Sequence, residues 1–188
     1  LPMPRRGDPR QCSLDVVFAF DTTSPAGLPS LLAASQTLLH SRVFKKRTVR
    51  IGAVKFSDDA DSRIVFPLDD SSRVSLDDVL KRDNHPGASQ ALLLSSALFR
   101  NANPTTPTKR IVIVLTDAFD RRNVEMALES LETVDASVFV LHSTSMKSVV
   151  AQSFPGAGGL TTNVISLEDI TKVEQEVDKL ADGCSRRI

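Results

Sequence analysis

Hydrophobic positions in this chain gather into short, almost unbroken runs separated by stretches of helical spacing. Asp15-Val16-Val17-Phe18-Ala19-Phe20-Asp21 is the first run, and Ile111-Val112-Ile113-Val114-Leu115-Thr116-Asp117 repeats its form in mid-chain. Apolar, β-branched runs without polar alternation read as strands buried on both faces, as in parallel sheets covered by helices. Between them, Leu28, Leu31, Leu32, Ser35, Leu38 and Leu39 recur at helical spacing, and Pro29 suits a first turn, so a helix is predicted from about Pro29 to Arg42. Val49 to Phe56 alternates as a strand, Asp58 to Asp61 turns the chain, and Ser62 to Phe66 returns, which predicts a hairpin and one antiparallel edge. The pattern continues with helices over Val74–Leu80, Ser89–Phe99 and Arg122–Val134, a strand over Ser137–His142 and a small helix over Ser145–Phe154. A last strand over Asn163–Ser166 and a closing helix over Leu167–Leu180 complete it. The predicted fold is α/β: a doubly wound, mostly parallel central sheet with one antiparallel edge strand and helices on both faces.

At 188 residues and 41% hydrophobic content the chain suits one domain with a substantial core, bounded here as 12–184 between tails 1–11 and 185–188. Its 23 basic and 23 acidic residues balance. No global field therefore favours nucleic acid, and no apolar run approaches the roughly 20 residues of a membrane-spanning helix. The two cysteines, Cys12 and Cys184, stand at the edges of the predicted domain. Chain ends of compact domains often lie close together, so the pair is expected to form a disulfide. Closing so long a loop is worth up to roughly 5 kcal/mol in the chain-entropy model and implies an oxidising compartment, hence a secreted protein.

The candidate chemistry lies where the two apolar runs end. In an open parallel sheet Asp21 and Asp117 would both lie outside the carboxyl ends of their strands, and Asp21 leads into Thr22-Thr23-Ser24-Pro25. Converging oxygens suit a hard cation, Mg²⁺ or Mn²⁺. The same aspartates could instead cap strand ends or helices through backbone amides.

These residues resemble the von Willebrand factor type A domain, integrin I-like, with its metal-ion-dependent adhesion site. The family pattern is Asp-x-Ser-x-Ser on the first strand end, a threonine in a middle loop and an aspartate on a later strand. By that resemblance the metal ligands are Asp21, Thr23, Ser89 and Asp117. Pro25 replaces the second hydroxyl, making the site a degenerate copy unless Ser24 or a water substitutes. The resemblance implies a non-catalytic extracellular-matrix or adhesion module, with collagen the leading partner class. A structural assembly unit of a larger matrix polymer is the alternative. A haloacid dehalogenase-like hydrolase is a distant one, because Asp21-Thr22-Thr23 lacks the second aspartate that would act as general acid.

Other signals change this picture less. Arg6-Gly7-Asp8 is the integrin-attachment tripeptide, set in a Pro- and Arg-rich tail. Lys45-Lys46-Arg47 with Arg50 reads as a solvated basic loop, or as a contact for sulfated polysaccharide or an acidic protein face. Asp58, Asp59 and Asp61 read as a turn, and His40, His85 and His142 have no zinc spacing. Surface contact near Ile64 to Leu68 is the expected mode of partner binding where the cation site is weak.

Overall fold

The computed structural model describes residues 13–21, 28–45, 47–56, 63–70, 75–76, 88–101, 108–116, 130–142 and 162–182. Six strands form one sheet: β1 (Ser13–Asp21), β2 (Val49–Phe56), β3 (Arg63–Asp70), β4 (Thr108–Thr116), β5 (Ala136–His142) and β6 (Thr162–Ser166). Their order is β3-β2-β1-β4-β5-β6, and every neighbouring pair is parallel except β2 with β3. The helices are α1 (Leu28–Leu39), the short α2 (Arg42–Lys45), α3 (Ala88–Asn101) and, after a 3₁₀ turn at Leu167–Asp169, α4 (Ile170–Asp182). Residues 130–133 form the described end of a further helix.

Strand alternation sorts the core into two layers. Leu14, Val16, Phe18 and Phe20 of β1, with Ile111, Ile113 and Leu115 of β4, face α1, α2 and α4, where Leu31, Leu38, Phe44, Val173 and Val177 are buried. Phe18 and Phe20 stack on this face with ring centroids 6.2 Å apart. Val17, Ala19, Val112, Val114, Val138 and Val140 face the other way, onto Ala91, Leu92 and Phe99 of α3 and onto Leu131. Helices thus cover both faces, which is why β1 and β4 read as continuous apolar runs.

Among the described residues the predicted strands and helices are present with shifted ends. The first helix stops at Leu39 and a separate turn, α2, follows, whereas one helix to Arg42 was expected. β3 runs on to Asp70 through Pro67, which stands exposed at the sheet edge where its missing N–H costs no ladder bond. The β2–β3 ladder slips register around Ala53, a bulge that blunts the edge. The helices expected at 145–154 and over most of 74–80 and 122–134, and the turn at Asp58–Asp61, lie outside the described residues.

At the amino edge of the sheet, charges line up across four strands. Asp70, Arg50, Asp15 and Arg110 occupy matching register positions on β3, β2, β1 and β4. Arg50 grips the buried Asp15 with both ends of its fork, Nε to Oδ1 at 2.8 Å and Nη2 to Oδ2 at 2.6 Å. That hydrogen bonding, with burial opposing and Asp15's charge adding, holds the Arg50 pKa above the ordinary arginine value. Arg110 donates to the Val134 carbonyl at 2.9 Å.

The basic cluster read from Lys45-Lys46-Arg47 and Arg50 is therefore corrected. The Arg47 side chain is only 1% exposed and donates to Asp178 of α4 at 2.7 Å, and the partly exposed Arg50 is paired with Asp15, so neither is an unpaired solvated charge. Planar guanidinium groups do here what flexible ammonium groups would not: they bind carboxylates bidentately or hold two elements together.

Candidate functional site at the carboxyl edge

In this strand order the crossover direction reverses between β1 and β4, and ligands of open α/β sheets bind outside the carboxyl ends of the strands at such a switch point. Asp21 ends β1 and Thr116 ends β4. Alternation places both on the α3 face, continuing Val17 and Ala19 on one strand and Val112 and Val114 on the other. Asp21 is 3% exposed and Thr116 fully buried, and the Thr116 hydroxyl donates to Asp21 Oδ2 at 2.6 Å. So short an O–H···O⁻ contact is charge-assisted, and it fixes the carboxylate's orientation.

α3 delivers the next candidate. Its last turn lies at the amino edge, because Arg100 bonds Ser130 and Thr133 just before β5 begins. Its first turn, about 20 Å away, therefore lies at the carboxyl edge, and Ser89 is the second residue of that turn. The structure so brings Asp21 and the backbone of Ser89 to the same edge. Thr23, Ser24, Pro25 and Asp117 lie outside the described residues, as do Arg6, Gly7, Asp8, Cys12, His85 and Cys184.

Two participants were not assigned from sequence. Thr116 closes an apolar run directly before Asp117, and counting alternation from Asp21 across the β1–β4 register would have put it beside the carboxylate. Lys55, 2% exposed, sits opposite Phe20 near the same edge but on the α1 face. Its burial gave no signal in the alternating β2 pattern.

The donors at this edge are oxygens, the set a hard cation takes. Among the described residues no three His, Cys, Asp or Glu side chains converge into a metal cluster. Among the described residues Asp21 is the one buried carboxylate there, since Asp15 lies at the opposite edge. The residues thus fit a hard cation in kind, with one charged ligand described. No described helix is long and apolar enough to cross a membrane.

A family model for the von Willebrand factor type A domain matches residues 15–179. No curated protein sequence matches the chain. Among solved structures, the conserved hypothetical protein BatB from Bacteroides thetaiotaomicron superposes with a TM-score of 0.62 at 17% identity, over 89% of this chain and 98% of that one. Proximal thread matrix protein 1 from the mussel byssus gives 0.58 at 16% identity, over 92% of this chain, which spans 47% of the mussel protein. An aerotolerance-related membrane protein from Bacteroides fragilis gives 0.59 at 16% identity, over 88% and 99%. At these identities the likeness concerns the fold.

Proposed function

The chain belongs to the von Willebrand factor type A domain family, and from that premise we propose that it is a non-catalytic extracellular adhesion or matrix module that binds another matrix protein, collagen foremost. The observation that carries the reading is the buried Asp21, held by Thr116 at the switch point of the sheet, where the family places its adhesion site. A mussel matrix protein among the structural neighbours is compatible with a matrix setting. The chain's domain is taken as 12–184.

Asp21, Thr23, Ser89 and Asp117 would hold a Mg²⁺ or Mn²⁺ ion, with Ser24 able to substitute where Pro25 offers no oxygen. Such an ion supplies an open coordination position for a partner's carboxylate. Because Pro25 removes one ligand, partner binding in this reading rests mainly on surface contact. Leu68 and Pro67 of β3 belong to that flank: Pro67 is exposed and Leu68 is half-buried against the α3-side core.

A secreted setting also agrees with how the described ends approach. Leu14 donates its N–H to Thr48 O at 3.0 Å, and next to Thr48, Arg47 binds Asp178. Leu14 and Ala181 share one apolar cluster. Cys12 and Cys184 follow closely in sequence on either side, which favours the bridge between them.

Solid-phase binding to fibrillar collagens, with and without EDTA, tests the function. Saturable binding that persists in EDTA and weakens only modestly with salt is expected, since charges balance. Binding lost in EDTA and restored by Mg²⁺ alone would reinstate a metal-bridged contact. Absence of binding to every matrix protein screened would favour the assembly-unit alternative.

A further inference from the structure

Away from the carboxyl edge, α3 meets the 130–133 turn through a polar cluster that the proposed function does not use. Ser96 Oγ, fully buried, lies 2.7 Å from Ser130 Oγ. Arg100 Nη2 reaches Ser130 Oγ at 3.0 Å and Thr133 Oγ1 at 3.1 Å, and Thr133 Oγ1 donates to the Ser130 carbonyl at 2.7 Å. The guanidinium is exposed, yet among the described residues its contacts are neutral hydroxyls and no carboxylate. A fixed cation whose described partners are neutral hydroxyl oxygens is a place for an oxyanion. Ser130-Leu131-Glu132 sets glutamate two positions after a serine, a context that suits an acidophilic kinase, and the choice of a secretory-pathway kinase rests on the extracellular reading proposed above.

We infer that Ser130 is a phosphorylation site and Arg100 the internal partner of its phosphate. In the transfer, the bond from Pγ of ATP to its bridging oxygen breaks, Ser130 Oγ bonds to Pγ, ADP leaves and the hydroxyl proton passes to the kinase's base. The added group carries close to two negative charges at neutral pH and three acceptor oxygens. Arg100 answers the charge, while the Ser96 hydroxyl, 2.7 Å from Ser130 Oγ, is placed to donate. Two features oppose it: Glu132 is exposed nearby, and 130–133 is the end of a helix, where the dipole disfavours an anion. Arg100 therefore decides the sign. With it, the phosphate fastens the last turn of α3 to 130–133; without it, the phosphate loosens the same junction.

The test treats the full chain with a Ser-x-Glu-directed secretory kinase and Mg-ATP, maps sites by tandem mass spectrometry and compares melting temperatures for wild type, Arg100→Gln and Ser130→Ala. Phosphate on Ser130, a rise of about 3 °C in wild type and no rise or a fall in Arg100→Gln are expected. No phosphate at Ser130 in the folded chain, while a 125–136 peptide is modified, overturns the assignment. So does an equal rise in Arg100→Gln. Stabilisation of the unmodified wild type by inorganic phosphate, lost in Arg100→Gln, would make the cluster an ion site instead.

Discussion

Thr116 is a donor to Asp21, and a carboxylate at 3% exposure must find donors inside the protein. Thr116→Val keeps the shape and removes the hydroxyl. It is expected to cost about 2 kcal/mol, seen as a lower urea midpoint at unchanged slope. An unmoved midpoint would show that the hydrogen bond does not hold the carboxylate. Asp135 offers the opposite sign. It follows the 130–133 turn with φ 55, the left-handed region that glycine enters without a Cβ clash. Asp135→Gly should stabilise by about 0.5–1 kcal/mol in the same assay. Asp21 was legible as the polar end of an apolar run. Its partner was not assigned, because a threonine closing such a run also reads as ordinary β-branched packing.

Between elements, the Asp70-Arg50-Asp15-Arg110 row fixes how the strands meet, since a one-residue slip would drive these charges to the other face. Arg50→Ala leaves Asp15 buried without its bidentate partner and is expected to cost about 3 kcal/mol. Replacing the pair together, Asp15→Leu with Arg50→Met, should return most of that loss. A double variant as unstable as the single one would contradict a simple pairwise account. The raised Arg50 pKa gives stability that is complete below the ordinary arginine value and lost only as pH climbs through the still higher folded value. It therefore contributes no slope across about pH 5 to 9, and a stability change there must come from other groups. The strand and helix order was legible because each run carries its own period. Element ends were less so: Pro67 does not stop an edge strand, and the Arg47 side chain is covered where Asp178, far along the chain, meets it.

For the whole molecule, the sheet sets a division of labour between its edges. The amino edge gathers the charged row, the Arg47–Asp178 tie and the described chain ends; the carboxyl edge holds Asp21, Thr116 and the first turn of α3. A Cys12–Cys184 bridge would lock the first of these, and non-reducing intact mass should fall two protons short of the reduced mass. Reduction should then lower the melting temperature, because the unfolded chain regains loop entropy worth at most roughly 5 kcal/mol. Two free thiols in the freshly purified protein would remove that lock. The fold was readable from periodicity, whereas the proposed cation site rests on residues whose roles come from the family pattern, with Pro25 breaking it. Calorimetric titration of Mg²⁺ into wild type, Asp21→Ala and Pro25→Ser tests that central point most directly. The account predicts weak binding in wild type, at least about tenfold tighter binding in Pro25→Ser, a gain of about 1.4 kcal/mol, and none in Asp21→Ala. The same heat in all three proteins would contradict it, placing any cation away from the edge that Asp21 and Thr116 build.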